Sequence, residues 1–134
     1  MKKVLEVVGA LILEDDKFLI CQRPKNKTCP LNWEFVGGKV EEGESYKEAL
    51  VRECKEELNV TLSVQEEFCF LTHEYDHAIV NLHIFLAKII EGVPQKIEHN
   101  DQKWIKACEI DNYEFCPADK EILQKIKCSF LCKR

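Results

Sequence analysis

The sequence predicts an α+β fold, an α/β/α sandwich in which a mixed β-sheet lies between helices. Three observations point there: long β-branched stretches with strand patterning, one strongly capped amphipathic helix mid-chain, and a second helix near the end. At 134 residues, a single domain covering 1–134 is expected, large enough for a real core.

Residues 3–14 alternate loosely and are β-branched, a strand pattern, and Asp15-Asp16-Lys17 supplies the turn into a strand at 18–22. Pro24, Asn26, Pro30 and Asn32 make 23–32 a loop, and a short strand at 33–36 runs into Gly37-Gly38. Ser45-Tyr46-Lys47-Glu48 is a capping box, opening a helix that ends where Asn59 can turn left-handed. At ~100° per residue, Leu50, Val51, Cys54 and Leu58 form the arc expected to pack on the sheet, and Glu48 and Arg52 are spaced to pair. Two longer strands, 62–75 and 79–90, meet near Asp76-His77, and 103–106 is a further short strand. Pro117 opens the last helix, with Ile122, Leu123 and Ile126 on one face.

The start, MKKVLEVVGALIL, imitates a signal peptide, but Glu6 interrupts it, Glu14-Asp15-Asp16 closes it and no small-residue cleavage site follows. No apolar run approaches the ~18 residues of a membrane span, so a cytoplasmic protein with no membrane partner is expected. The net charge of −5, with no basic tract, offers no footprint for duplex nucleic acid. Of eight cysteines, Cys21, Cys54, Cys69 and Cys108 stand beside apolar residues, as buried thiols do. No CxxC occurs, and the nearest pair, Cys128 and Cys132, is four apart. Reduced thiols are expected rather than disulfides or structural zinc.

The chemistry concentrates at 38–60, GKVEEGESYKEALVRECKEELNV. Glu53, Glu56 and Glu57 crowd one stripe of the helix without alternating lysines, and like charges so spaced destabilise a helix by a few tenths of a kcal/mol per pair. A hard divalent cation with oxygen ligands reverses that sign. An anionic substrate would also need such cations to approach so acidic a cluster.

Those residues fit a family pattern: Gly, five residues, Glu, seven residues, then Arg-Glu-apolar-x-Glu-Glu-x-Gly-apolar. Gly38, Glu44, Arg52, Glu53, Cys54, Glu56, Glu57 and Val60 satisfy eight of its nine positions, and Asn59 replaces the last glycine. The chain resembles the Nudix hydrolases. Across nearly its whole length it is similar to MutT-like nucleoside triphosphate pyrophosphohydrolases, through Asn32-Trp33-Glu34-Phe35-Val36-Gly37-Gly38-Lys39, Glu98 ahead of Trp104, and Phe115-Cys116-Pro117-Ala118-Asp119.

The resemblance implies the Nudix fold and Mg²⁺ or Mn²⁺ as cofactor, with Glu53, Glu56, Glu57, the Gly37 carbonyl and Glu98 as ligands. It implies that Arg52 orients Glu53, that Glu44 braces the loop, and that Glu53 or Glu98 is the general base. Arg23, Phe35, Gly38, Lys39, Leu82 and Asp119 become candidates for substrate contact. An ionised Asp119 accepts but does not donate, so it suits cytosine N4–H or the N1–H and N2–H of 8-oxoguanine. The implied reaction yields a nucleoside monophosphate and pyrophosphate from 8-oxo-dGTP or a cytidine nucleotide, in nucleotide sanitation or general pool control. A monomer acting on a small nucleotide is the default. Hydrolysis of ADP-ribose or a dinucleoside polyphosphate, and a non-catalytic nucleotide-binding module, are the alternatives. His73-Glu74-Tyr75-Asp76-His77 matches the H-E-x-x-H zinc-peptidase letters, but its flanks read as strands and that chemistry needs a helix.

Overall fold

The computed structural model describes residues 2–129, so Cys132 lies outside the described residues. In chain order the elements are β1 (Lys3–Glu14), β2 (Lys17–Gln22), β3 (Trp33–Glu34), β4 (Gly37–Lys39), α1 (Tyr46–Leu58), β5 (Thr61–Glu74), β6 (Ala78–Glu91), β7 (Asp101–Lys106) and α2 (Lys120–Lys127). β1 is the hub. Along one edge it runs parallel to β6, from Lys3↔Ala78 to Ile12↔Ala87, and β6 pairs antiparallel with β5. Along the other edge it pairs antiparallel with β4 at Val7, Val8 and Gly9, then with β2 at Leu13 and Glu14. β2 also carries β3 and β7, so the sheet is mixed.

Strand periodicity splits the apolar residues into two cores. Leu11, Phe18, Ile20, Ile84 and Leu86 face α2 and its Ile122, Leu123 and Ile126. Val8, Ala10, Ile12, Leu19, Cys21, Phe85 and Ala87 face α1. A sheet covered on both faces explains why β1, β2 and β6 contain continuous apolar runs rather than clean alternation.

The hairpin at Asp15-Asp16 forms as expected, with Asp15 at φ 56°. The strand expected at 33–36 is divided: β3 ends at Glu34 because Trp33 and Glu34 pair with β2, whereas β4 pairs with β1. In α1, Ser45 and Glu48 form the reciprocal cap, and Asn59 takes the left-handed conformation at φ 56°. Ala49, not Val51, completes the buried face; Val51 is 36% exposed. Glu48 is occupied with the Ser45 amide at 2.9 Å, so Arg52 pairs elsewhere. The last helix begins as a 3-10 turn, Pro117–Asp119, before α2. The seven described cysteines are free thiols, and Cys108 is exposed rather than buried. His73 and Glu74 end β5, where the Tyr75 amide donates to the Ala78 carbonyl at 2.7 Å. The two histidines of the H-E-x-x-H letters therefore share no helical face, which removes the zinc-peptidase reading.

The paired glycines are needed for contacts within the protein. A Cβ on Gly37 would overlap the Val8 carbonyl, and one on Gly38 would overlap the Glu53 carboxylate. The first obstacle is backbone and the second is the end of a flexible side chain. Gly37→Ala is therefore expected to cost about 1–3 kcal/mol of stability, while Gly38→Ala displaces Glu53 with little loss; thermal unfolding of both variants checks the contrast.

Candidate functional site

The acidic motif folds around Arg52. Its Nε donates to Glu44 Oε2 at 2.6 Å and its Nη2 to Glu44 Oε1 at 3.0 Å, a two-pronged grip on one carboxylate. Nη1 reaches Glu53 at 3.1 Å and Glu56 at 3.4 Å, and Nη2 also donates to the Lys39 carbonyl at 3.1 Å. Glu44 further accepts from the Glu41 amide at 3.0 Å. These bonds, led by that from Arg52, hold the Glu44 carboxyl below its ordinary range. One guanidinium thus joins β4, the turn at 40–45 and two turns of α1.

On the α2 side of the sheet lies a cavity of about 370 Å³, open to solvent. Val7 and Gly9 of β1 and Leu82 and Ile84 of β6 form part of its wall, with Phe35 and Cys116. Glu57 and Glu98 line it together with Gly37, Gly38, Arg23 and Asp119. Glu53, Glu56, Glu44, Arg52 and Lys39 do not. Glu53 rests against Gly38, and Glu56 is exposed beside Arg52. Lys39 is exposed and contributes its carbonyl to Arg52. Arg23 is tied to Glu34 at 3.0 Å and, through Nη2, to the Thr28 hydroxyl at 3.0 Å, so it holds the 23–32 loop as well as lining the cavity.

Sequence reasoning missed Glu34, His99, Tyr75, Cys29 and Cys116, all of which line the cavity. Glu34 was visible as the polar position of a short apolar strand, and His99 as the neighbour of Glu98. The other three carry no local signal, because they meet only when 23–32, the β5–β6 turn and 114–119 come together.

Burial is the main cause of a Glu57 carboxyl pushed up to about 9, followed by a shared hydrogen bond with Glu53 and the nearby charges of Glu53, Glu98 and Glu34. Burial likewise raises Asp119 to about 8, with Glu34 adding to the shift and Arg23 opposing it. The charge of Glu34 raises both groups. Among the described residues, no three His, Cys, Asp or Glu side chains already converge as a cation cage. The donors nevertheless suit a hard cation, since a buried carboxylate crowded by others gains most from one.

Comparison with known proteins agrees with this architecture. A family model described as "NUDIX domain" matches residues 7–125. The chain is 38% identical over 122 residues to the CTP pyrophosphohydrolase of Escherichia coli (strain K12), covering 91% of this chain and 90% of that protein. It is 30% identical over 127 residues to the 8-oxo-dGTP diphosphatase of the same strain, covering 95% and 98%. The solution structure of the E. coli ORF135 protein superposes with a TM-score of 0.83 at 36% identity, over 95% of this chain and 91% of that one.

Because the folded pKa values of Glu57 and Asp119 lie above their unfolded ones, the stability they contribute is complete below about 4 and is lost as pH rises towards about 8–9. Metal-free protein is expected to melt at lower temperature with each step from pH 5 to pH 9. Added Mn²⁺ should offset the loss while releasing a proton at pH 7; calorimetry in two buffers of different ionisation enthalpy measures that release.

Proposed function

The chain belongs to the Nudix family and is a hydrolase of phosphoanhydride bonds, and on that premise we propose that it converts a nucleoside triphosphate to nucleoside monophosphate and pyrophosphate. The observation that carries this reading is one cavity with a crowded carboxylate end, Glu57 and Glu98, and a second end where Asp119 is buried near Arg23. The coverage and identity of the two E. coli relatives support the same substrate class.

Glu57 and Glu98, with Glu53, Glu56 and the Gly37 carbonyl, would hold Mg²⁺ or Mn²⁺. Such a cation neutralises phosphate charge and acidifies bound water. Arg52 orients Glu53 and Glu44 and helps keep Glu44 ionised. Glu98, exposed on the cavity rim, takes the proton of the attacking water. Glu53 suits that role less, since its carboxylate is held by Arg52 and packed on Gly38. Water attacks the β phosphorus, the bond from that phosphorus to the α–β bridging oxygen breaks, and the nucleoside monophosphate leaves. Phe35 and Leu82 flank the base, and positioning supplies much of the rate.

Asp119 supports cytosine over guanine-type bases at neutral pH. With its pKa raised to about 8 by burial, it carries a proton there and presents a donor beside an acceptor. That pair complements N3 and N4–H of cytosine. The ionised form, with two acceptors, complements N1–H and N2–H of 8-oxoguanine. We take the protonated form where the sequence alone suggested an ionised Asp119.

In a panel of CTP, 8-oxo-dGTP, ADP-ribose and a dinucleoside polyphosphate with Mg²⁺ or Mn²⁺, CTP and 8-oxo-dGTP should release pyrophosphate; turnover confined to ADP-ribose would overturn the assignment. Glu57→Gln should lower kcat/KM by about 100-fold or more. The kcat/KM ratio of CTP to 8-oxo-dGTP should fall as pH passes about 8, and Asp119→Asn, which keeps donor and acceptor at every pH, should flatten that profile.

A further inference from the structure

His99 follows Glu98 and, with His83 and Asp119, is one of three buried polar or charged residues among the described residues, at 8% exposure. Its Nε2 lies 3.0 Å from Glu34 Oε2 and 3.9 Å from Glu57 Oε1. An ionised carboxylate only accepts, so the Glu34 contact assigns the hydrogen to Nε2. Nδ1 is buried with no partner. Leaving such an atom unsatisfied costs about 1–3 kcal/mol, so the ring is held here against a penalty. Its place is secured by the next residue: the Asn100 amide donates to the Gln22 carbonyl at 2.8 Å and its side chain to Gln22 Oε1 at 2.6 Å. Glu34, in turn, spends its other oxygen on Arg23 at 3.0 Å.

The result is a line of polar groups, Arg23–Glu34–His99–Glu57, hydrogen-bonded as far as His99 and completed by the 3.9 Å approach to Glu57, running from the side of the cavity that holds Asp119 to the side that holds Glu57. It joins β3, the 23–32 loop, the loop carrying Glu98 and the last turn of α1. We propose that His99 is a positioning residue, whose Nε2–H sets the separation of Glu34 and Glu57 and thereby couples placement of the base to placement of the cation ligands. This rests on the reading of Glu57 as a ligand.

The test compares two substitutions in the full chain. Gln can bring a side-chain N–H close to the place of Nε2, whereas Asn is too short to reach Glu34, and both remove the ring. Mn²⁺ binding to the substrate-free protein is followed by electron paramagnetic resonance, alongside kcat and KM for CTP and thermal unfolding. His99→Asn is expected to weaken Mn²⁺ binding and lower kcat/KM by about 10–100-fold, with His99→Gln within about threefold of the native chain. Equal behaviour of the two variants, or native Mn²⁺ affinity in His99→Asn, would overturn the proposal. Should either variant fail to fold, Glu34→Gln decides: it weakens the acceptor while sparing the ring, and an unchanged Mn²⁺ affinity would count against the coupling. If the native chain turns over neither CTP nor 8-oxo-dGTP, the substrate assignment fails, while the Mn²⁺ comparison still judges His99.

Discussion

The site depends on one guanidinium placed among carboxylates that would otherwise repel each other. Arg52 binds both oxygens of Glu44 and reaches Glu53 and Glu56. Exposed ion pairs of this kind contribute only about 0–1 kcal/mol each, and Arg52 is about a quarter exposed. Its importance is therefore geometric rather than energetic. The planar fork fixes the turn at 40–45 against α1, and its bond to the Lys39 carbonyl fixes both against β4. Glu53 can then rest on Gly38, and the next turn of α1 carries Glu57 to the cavity.

That arrangement needs a rigid support, which the two cores provide. β1 is paired along both edges and packed on both faces, so the backbone beneath Gly37 and Gly38 has little freedom. α1 is seated on one face of the sheet, yet its Glu57 lines a cavity on the other. The cavity's other end holds Asp119, buried near the ion pair of Arg23 and Glu34. His99 stands between Glu34 towards the Asp119 end and Glu57 at the carboxylate end.

Local signals in the sequence were strong wherever one segment decided the outcome. The cap at Ser45 and Glu48, the left-handed Asn59, the hairpin at Asp15 and the face of Ile122, Leu123 and Ile126 depend on neighbours a few residues away. Helical spacing did not separate Ala49 from Val51, because the sheet's twist and position decide which edge of the apolar arc is covered. Nor did it reveal that Glu48 would cap rather than pair with Arg52. Cys108 looked apolar in context but falls in a 3-10 turn facing solvent.

The sequence by itself determined the family pattern, the order of elements and the concentration of carboxylates on one helix, since these follow from spacing along the chain. It could not show which carboxylates would be buried. Glu53, Glu56 and Glu57 look equivalent on a helical stripe, but their side chains are 14%, 56% and 12% exposed. Only the tertiary structure decided that, by setting α1 against Gly38 and the Glu98 loop against β3. The raised carboxyl pKa values of Glu57 and Asp119, and the meeting of Glu34 with His99, follow from the same packing. Desolvation and long-range proximity are properties of the assembled fold, and a linear pattern of residue types does not contain them.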